Sequence, residues 1–170
     1  KSAYYLGKIA HLLFPKNIPD IHSAYNESND TSVLQIQKGE SDLPHQMSHR
    51  VWLEVSKPIY VQRKVSSDER RAMHQHFQQT EHNPKVIKLR KEASLKGFKM
   101  DYGGQNFSQD EQGNITYLET NPAWEYRKDG STLYWFDEAR LQNSINELPE
   151  PNRTQALKYL QRLLKLVPKK

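Results

Sequence analysis

The chain has 170 residues, 26% charged and 35% hydrophobic, with a mean hydropathy of −0.93. It has no Cys, which excludes disulfides and thiolate metal sites, and no apolar run near the roughly 20 residues needed to cross a bilayer. Three Trp, nine Tyr and five Phe are too many for a disordered chain, while a net charge of +5 and a pI of about 9.3 favour anionic partners such as nucleotides, nucleic acid or acidic proteins.

This length predicts one domain or a small two-lobed unit. Residues 3–14, AYYLGKIAHLLF, read as a strand or bent hairpin that Pro15 and Pro19 stop. Residues 26–30 read as a polar loop. Residues 32–38, SVLQIQK, alternate apolar and polar side chains as a strand does. A short helix is expected over residues 46–55 and another strand over 58–64. Near residue 65 the pattern turns helical. Ser66 and Glu69 form a capping box, and that helix should run to about Thr80. Asn83-Pro84 starts a second helix, with Val86, Ile87, Leu89 and Leu95 as its apolar side and Gly97 as its left-handed cap. Residues 114–118, NITYL, read as a strand. Two further helices are expected, from Thr132 to about Leu148 and from Thr154 to Val167.

The chemistry concentrates between Phe98 and Trp124, FKMDYGGQNFSQDEQGNITYLETNPAW. Four residues separate Asp101 from Asn106, and Glu119 follows thirteen positions later at the end of an apolar run. Three oxygen-bearing side chains gathered by one turn and one hairpin suit a hard divalent cation and an oriented hydroxyl. The plain alternatives are turn residues for Asp101 and Asn106, and a solvated strand end for Glu119. Other titratable groups carry less. His74 and His76 point to different sides of a helix, which speaks against a zinc site with His82. His45 and His49 read as a surface pair. Lys85, Lys88, Arg90 and Lys91 read as a solvated helix face or a surface for an acidic partner. Trp124 and Trp135 read as core anchors.

A helix ending before Asp-x-x-x-x-Asn, followed by a hairpin that delivers an acid, resembles the protein-kinase-like fold in reduced form. The resemblance implies an α+β, two-lobed architecture. Residues 1–65 would form a strand-rich lobe ending in a hinge, and residues 66–170 a helical lobe. It implies ATP and Mg²⁺ as cofactors, with phosphoryl transfer to a hydroxyl of a protein or small molecule. Asp101 would be the catalytic base, and Asn106 and Glu119 the metal ligands. Lys38 and its partner Glu54 would position the phosphates, with Lys8 as the competing lysine. Val61 and Arg63 would line the nucleotide. The chain departs from the family at several points. Glu119-Thr120-Asn121 replaces Asp-Phe-Gly, Lys99-Met100 replaces His-Arg, and neither a glycine-rich loop nor an Ala-Pro-Glu segment is present. A pseudokinase serving only as a binding module is therefore an alternative. The run Tyr117 to Pro122 also resembles the Mg²⁺-binding segment of ATP-grasp enzymes, whose partner acid usually lies nearer in sequence than Asp101 does. A soluble protein is expected, cytoplasmic or exported by a leaderless route.

Overall fold

The computed structural model describes residues 2–28, 31–36, 67–119 and 121–168. Its first element overturns the strand expected there: Ser2–Leu13 is a helix, α1. The buried positions Leu6, Ile9, Ala10 and Leu13 fall at the three- and four-residue spacing of one helical face. A β-carbon on Gly7 would overlap the Ile21 side chain, so this glycine lets the chain after the helix fold back closely. Lys8 Nζ pairs with Asp20 Oδ1 at 2.5 Å, and His11 Nδ1 donates to the Ile18 carbonyl at 2.7 Å. Both contacts fasten that return.

Strand β1, Ile21–Ser28, pairs antiparallel with β2, Thr31–Ile36, placing Tyr25 opposite Val33. The strand expected from Ser32 is thus present as far as Ile36, whereas residues 26–28, expected as loop, belong to β1. The helix expected over 46–55, the strand over 58–64 and the hinge at 65 lie outside the described residues.

Helix α2 spans Ser67–Glu81 and α3 spans Pro84–Leu95. Asn83 caps α3 as expected: its side chain accepts from the Lys85 N–H at 2.9 Å, and Pro84 opens the helix. Gly97 takes the left-handed conformation, φ +83°, that closes it. The buried side of α3 is Val86, Leu89 and Ala93. Ile87 and Leu95 were expected there, but they are 49% and 65% exposed.

Two hairpins follow. β3, Phe107–Gln109, pairs with β4, Ile115–Tyr117, and β5, Trp124–Tyr126, pairs with β6, Thr132–Tyr134. The second hairpin corrects the helix expected from Thr132. Helix α4 begins only at Glu138, where Asp137 caps it by accepting from the Arg140 N–H, and it ends at Asn146. The run Thr132-Leu133-Tyr134-Trp135 is rich in residues that favour strands, and the turn at Gly130, φ +81°, brings it against β5. Helix α5 covers Asn152–Leu164.

Ala156, Leu160 and Leu163 of α5 join Leu141 and Ile145 of α4 and the buried face of α1 in one apolar cluster. Val86, Leu89, Phe107 and Tyr117 also belong to it. Burying one such Leu contributes about 1.5–3 kcal/mol. Trp124 and Trp135 pack against this cluster half-buried, as core anchors should. The architecture is α+β, with three two-stranded antiparallel sheets among the described residues. No described helix is long and apolar enough to cross a membrane.

Candidate functional site

The segment after Gly97 is extended. Phe98 and Met100 are buried and Lys99 is exposed, the alternation of a strand. The Lys99 N–H donates to the Trp135 carbonyl at 2.9 Å, and Phe98 bridges Phe136. These bonds aim the chain so that Asp101 emerges half-buried at its end. The Asp101 N–H donates to the Tyr117 hydroxyl at 3.0 Å, and its Oδ1 accepts from the Gly103 N–H at 3.4 Å.

Next comes the Gly103-Gly104 turn. Gly104 is buried against the backbone of Phe77 in α2 so closely that a β-carbon would overlap the Phe77 carbonyl oxygen. A 3-10 turn over Gly104–Asn106 then leads into β3. Arg90 secures this loop from α3. Its guanidinium donates to the Tyr102 carbonyl at 3.1 Å and to the Glu81 carbonyl at 2.6 Å, and it lies 4.9 Å from the Tyr102 ring centre. Arg90 was expected on a solvated face; it is instead half-buried and structural.

The hairpin carries the second half of the site. At its turn the Asp110 carboxylate accepts from the backbone and the side chain of Asn114, both at 2.7 Å. The other edge of β4 is held by Asn17, whose carbonyl accepts from the Tyr117 N–H at 2.7 Å. Its Nδ2 donates to the Ile115 carbonyl at 2.8 Å. Tyr117 is therefore pinned on both strand edges. Its ring meets Phe98 edge-on and lies 5.1 Å from the Phe107 ring.

Tyr117 and Glu119, two apart, are both buried. The Tyr117 hydroxyl accepts from the Asp101 N–H and, at 3.4 Å, from Asn121 Nδ2. Burial pushes this phenol far above its ordinary pKa. The Asp101 N–H opposes the rise, and the negative charges of Glu119 and Asp101 add to it. One hydroxyl thus gathers the Asp101 backbone, the Asn121 amide and the field of two carboxylates. Beside it lies a recess of about 20 Å³ lined by Leu6, Gly7, Ile21, Tyr117, Glu119 and Asn121 among others. This exceeds the roughly 10–15 Å³ that holds one water. It admits a water or a bare ion and is far too small for adenosine.

The expected site residues thus divide. Asp101 reaches the Tyr117 hydroxyl through its backbone N–H, and the charge of Glu119 acts on the same phenol. Asn106 lies next door through its backbone, its carbonyl accepting from the Leu118 N–H at 2.8 Å. Its side chain is only 3% exposed and does not line the recess, and its Nδ2 has no hydrogen-bond partner. Lys38, Glu54, Val61 and Arg63, expected at the nucleotide, lie outside the described residues, as do His45 and His49. Lys8, the alternative phosphate lysine, is committed to Asp20. His74 and His76 contact Gln78 and Thr80 of their own helix. Among the described residues no group of three or more His, Asp or Glu side chains could hold a metal. The polar side chains that line the recess are Tyr117, Glu119 and Asn121; Asp101, like Asn106, does not line it.

Tyr117 and Asn121 stood in the sequence only within the run that resembles the ATP-grasp segment, not among the expected site residues. The signal for Tyr117 was its place two before Glu119 in a strand, where alternate residues share a face. No protein-family model, curated protein or solved structure matches this chain.

Proposed function

We propose that the protein binds ATP with a divalent cation at Glu119 and Asn121, next to Asp101, and transfers the terminal phosphoryl group to an acceptor oxygen with ADP as the leaving group, in the manner of an ATP-grasp-type enzyme. The observation that carries this reading is the Tyr117 hydroxyl, which holds the Asp101 N–H and the Asn121 amide beside Glu119. Glu119 and Asn121 line a recess with room for an ion or a water, and carboxylate and amide oxygens suit a hard cation. When bound, Mg²⁺ neutralises charge on the phosphate oxygens. The chain's own contribution is rigidity. Glu119 lies two residues beyond a strand bonded on both edges, and Asp101 ends a segment tied to Trp135 and Tyr117. The low exposure of Glu119 strengthens its field at the site. The adenosine portion is assigned to the segment that contains Lys38, Glu54, Val61 and Arg63.

The kinase-like reading stands second. It has two lobes meeting near residue 65, Asp101 as base toward a hydroxyl, and Asn106 as a ligand. The half-exposed position of Asp101, next to Tyr102 at 72% exposure, favours it, because an acceptor could reach that carboxylate. A pseudokinase-like binding module would bind the same ligands without turnover. Calorimetric titration of ATP with Mg²⁺ separates the first two readings, and release of ADP separates both from the binding module. The first predicts that Asn121→Ala and Glu119→Gln weaken binding at least tenfold while Asn106→Ala binds as the wild type does. Loss in Asn106→Ala with retention in Asn121→Ala would reverse the ranking. No binding by the wild type would end both.

A further inference from the structure

We infer that the protein binds single-stranded nucleic acid along the outer face of α5 and the hairpin beside its end, with Lys158, Arg162 and Lys165 on the phosphates and the Tyr126 ring stacked on a base. From Pro151 to Lys170 the sequence has no acidic residue. Lys158 and Arg162 of α5, and Lys165 just after it, are exposed at four- and three-residue spacing and so form one stripe. It lies opposite the buried Ala156, Leu160 and Leu163. Other surface helices of this chain set acids among their cations: Lys88 of α3 has Glu92 at 3.8 Å, and Arg71 of α2 has Asp68 at 3.9 Å. None of the three α5 cations pairs with an acid among the described residues. The plain reading is a solvated face helped by the helix dipole, which favours cations in the last turn. That accounts for Arg162 and Lys165 but not for Lys158 in mid-helix, and like charges four apart repel. A polyanion laid along the stripe removes that repulsion.

The stripe ends at an aromatic surface. Trp124 Nε1 donates to the Leu166 carbonyl at 3.1 Å, which fastens the β5–β6 hairpin to the residue after Lys165. Tyr126, two along from Trp124, shares its face of the strand. The two rings meet edge-on with centres 5.1 Å apart, yet Tyr126 is 67% exposed. A ring held against a fixed indole and open to solvent can stack with little further ordering. Arg127 and Lys128 follow it in the exposed turn. The nearby acids are turned aside. Glu125 alternates to the other face of β5, and the Asp129 carboxylate accepts from the Ser131 N–H at 2.9 Å and hydroxyl at 2.6 Å. Cations and an open ring together specify the occupant. Phosphates supply negative charge and a base supplies a flat face, whereas an acidic peptide offers only the charge. A duplex hides its base faces by stacking, so the strand is single. Lys158 to Lys165 spans about 10 Å of helix axis, roughly the rise of three phosphates at about 3.4 Å each in a stacked strand. None of these residues lines the recess at Glu119, so this surface is separate from the nucleotide site proposed above.

Fluorescence anisotropy of a labelled thymidylate dodecamer, read across a salt series, tests this. The wild type should give a slope of log K on log salt of about −2, at about −0.7 for each of three neutralised phosphates. Lys158→Gln, Arg162→Gln and Lys165→Gln together should remove most of that slope. Tyr126→Leu should weaken binding about tenfold or more and leave the slope unchanged, because stacking involves no ion release. Lys88→Gln, Lys91→Gln and Lys99→Gln together remove the same charge elsewhere and should keep wild-type affinity and slope. All the substituted side chains are exposed, so the variants should fold. Equal loss in that last variant would reduce the effect to net charge and overturn the inference. No binding by the wild type, tighter binding of the matching duplex or of a polyglutamate peptide, or full affinity in Tyr126→Leu would each overturn it as well.

Discussion

Gly104 is the tightest point in the loop that carries Asp101 and Asn106, and adding one methyl there has a calculable effect. In Gly104→Ala the new β-carbon would overlap the Phe77 carbonyl oxygen and stand 2.7 Å from the carbonyl carbon and 3.0 Å from Cα. These are backbone atoms of α2, so no side chain can swing aside. Overpacking of this kind costs about 1–3 kcal/mol, and a backbone obstacle puts it at the upper end. Gly104 does not have positive φ, so the substitution adds no left-handed strain. The smaller entropy of the unfolded chain returns about 0.4–1 kcal/mol. The net loss is about 2 kcal/mol, which lowers the Tm by about 4–8 °C in a chain of this size. Gly130→Ala is the comparison. It has φ +81° but nothing within 4 Å, so it isolates backbone strain of about 1–2 kcal/mol without a clash. Differential scanning calorimetry of both variants reads the difference. Gly104→Ala with an unchanged Tm would refute the placement of α2 against the loop. A general rise in exchange across Gly104–Asn106 in Gly104→Ala alone would support it.

Further predictions follow from local contacts. Asn83→Ala removes the cap of α3 and should cost about 1 kcal/mol, or about 2–4 °C in Tm. Asn83→Asp keeps the acceptor for the Lys85 N–H and should lose much less; equal losses would refute the cap. The side chain and backbone N–H of Asn114 hold the Asp110 carboxyl below its ordinary pKa. A depressed folded-state value means that this contribution is present at neutral pH, above the unfolded-state value, and disappears as pH falls through the lower folded value. The stability difference between wild type and Asp110→Asn should therefore shrink steadily below about pH 4 in denaturant titrations, near the ordinary carboxylate value. A difference that stays constant to pH 2 would refute the assignment.

Local signals read well where one residue decides the geometry. Asn83 with Pro84 marks the start of α3 because an acceptor and a missing N–H both suit a helix entry, and Gly97 marks its end because few other residues adopt positive φ. The strand at Ile115–Tyr117 was legible from its alternation. Reading failed where tertiary packing outweighed local composition. Tyr4, Tyr5 and Gly7 suggest a strand over residues 3–14, yet α5 supplies an apolar face that rewards the three- and four-residue spacing of Leu6, Ile9, Ala10 and Leu13. Beyond Thr132 the apolar spacing was mistaken for a helix, and the Asp137 cap that marks the true start was overlooked. At the candidate site, spacing singled out Asp101 and Glu119 in the sequence, but spacing cannot say which way an amide points. Asn106 was chosen by its distance from Asp101 and is buried away from the recess, whereas Asn121 shares the Tyr117 hydroxyl.

The most direct measurement is the shift in Tm caused by ATP, with and without Mg²⁺, in the wild type and in Glu119→Gln. A ligand at about 100 times its Kd stabilises the native state by about 2.7 kcal/mol, or about 5–11 °C here. The account predicts that rise only when ATP and Mg²⁺ are both present and Glu119 is intact. An equal rise without Mg²⁺, or in Glu119→Gln, would contradict it.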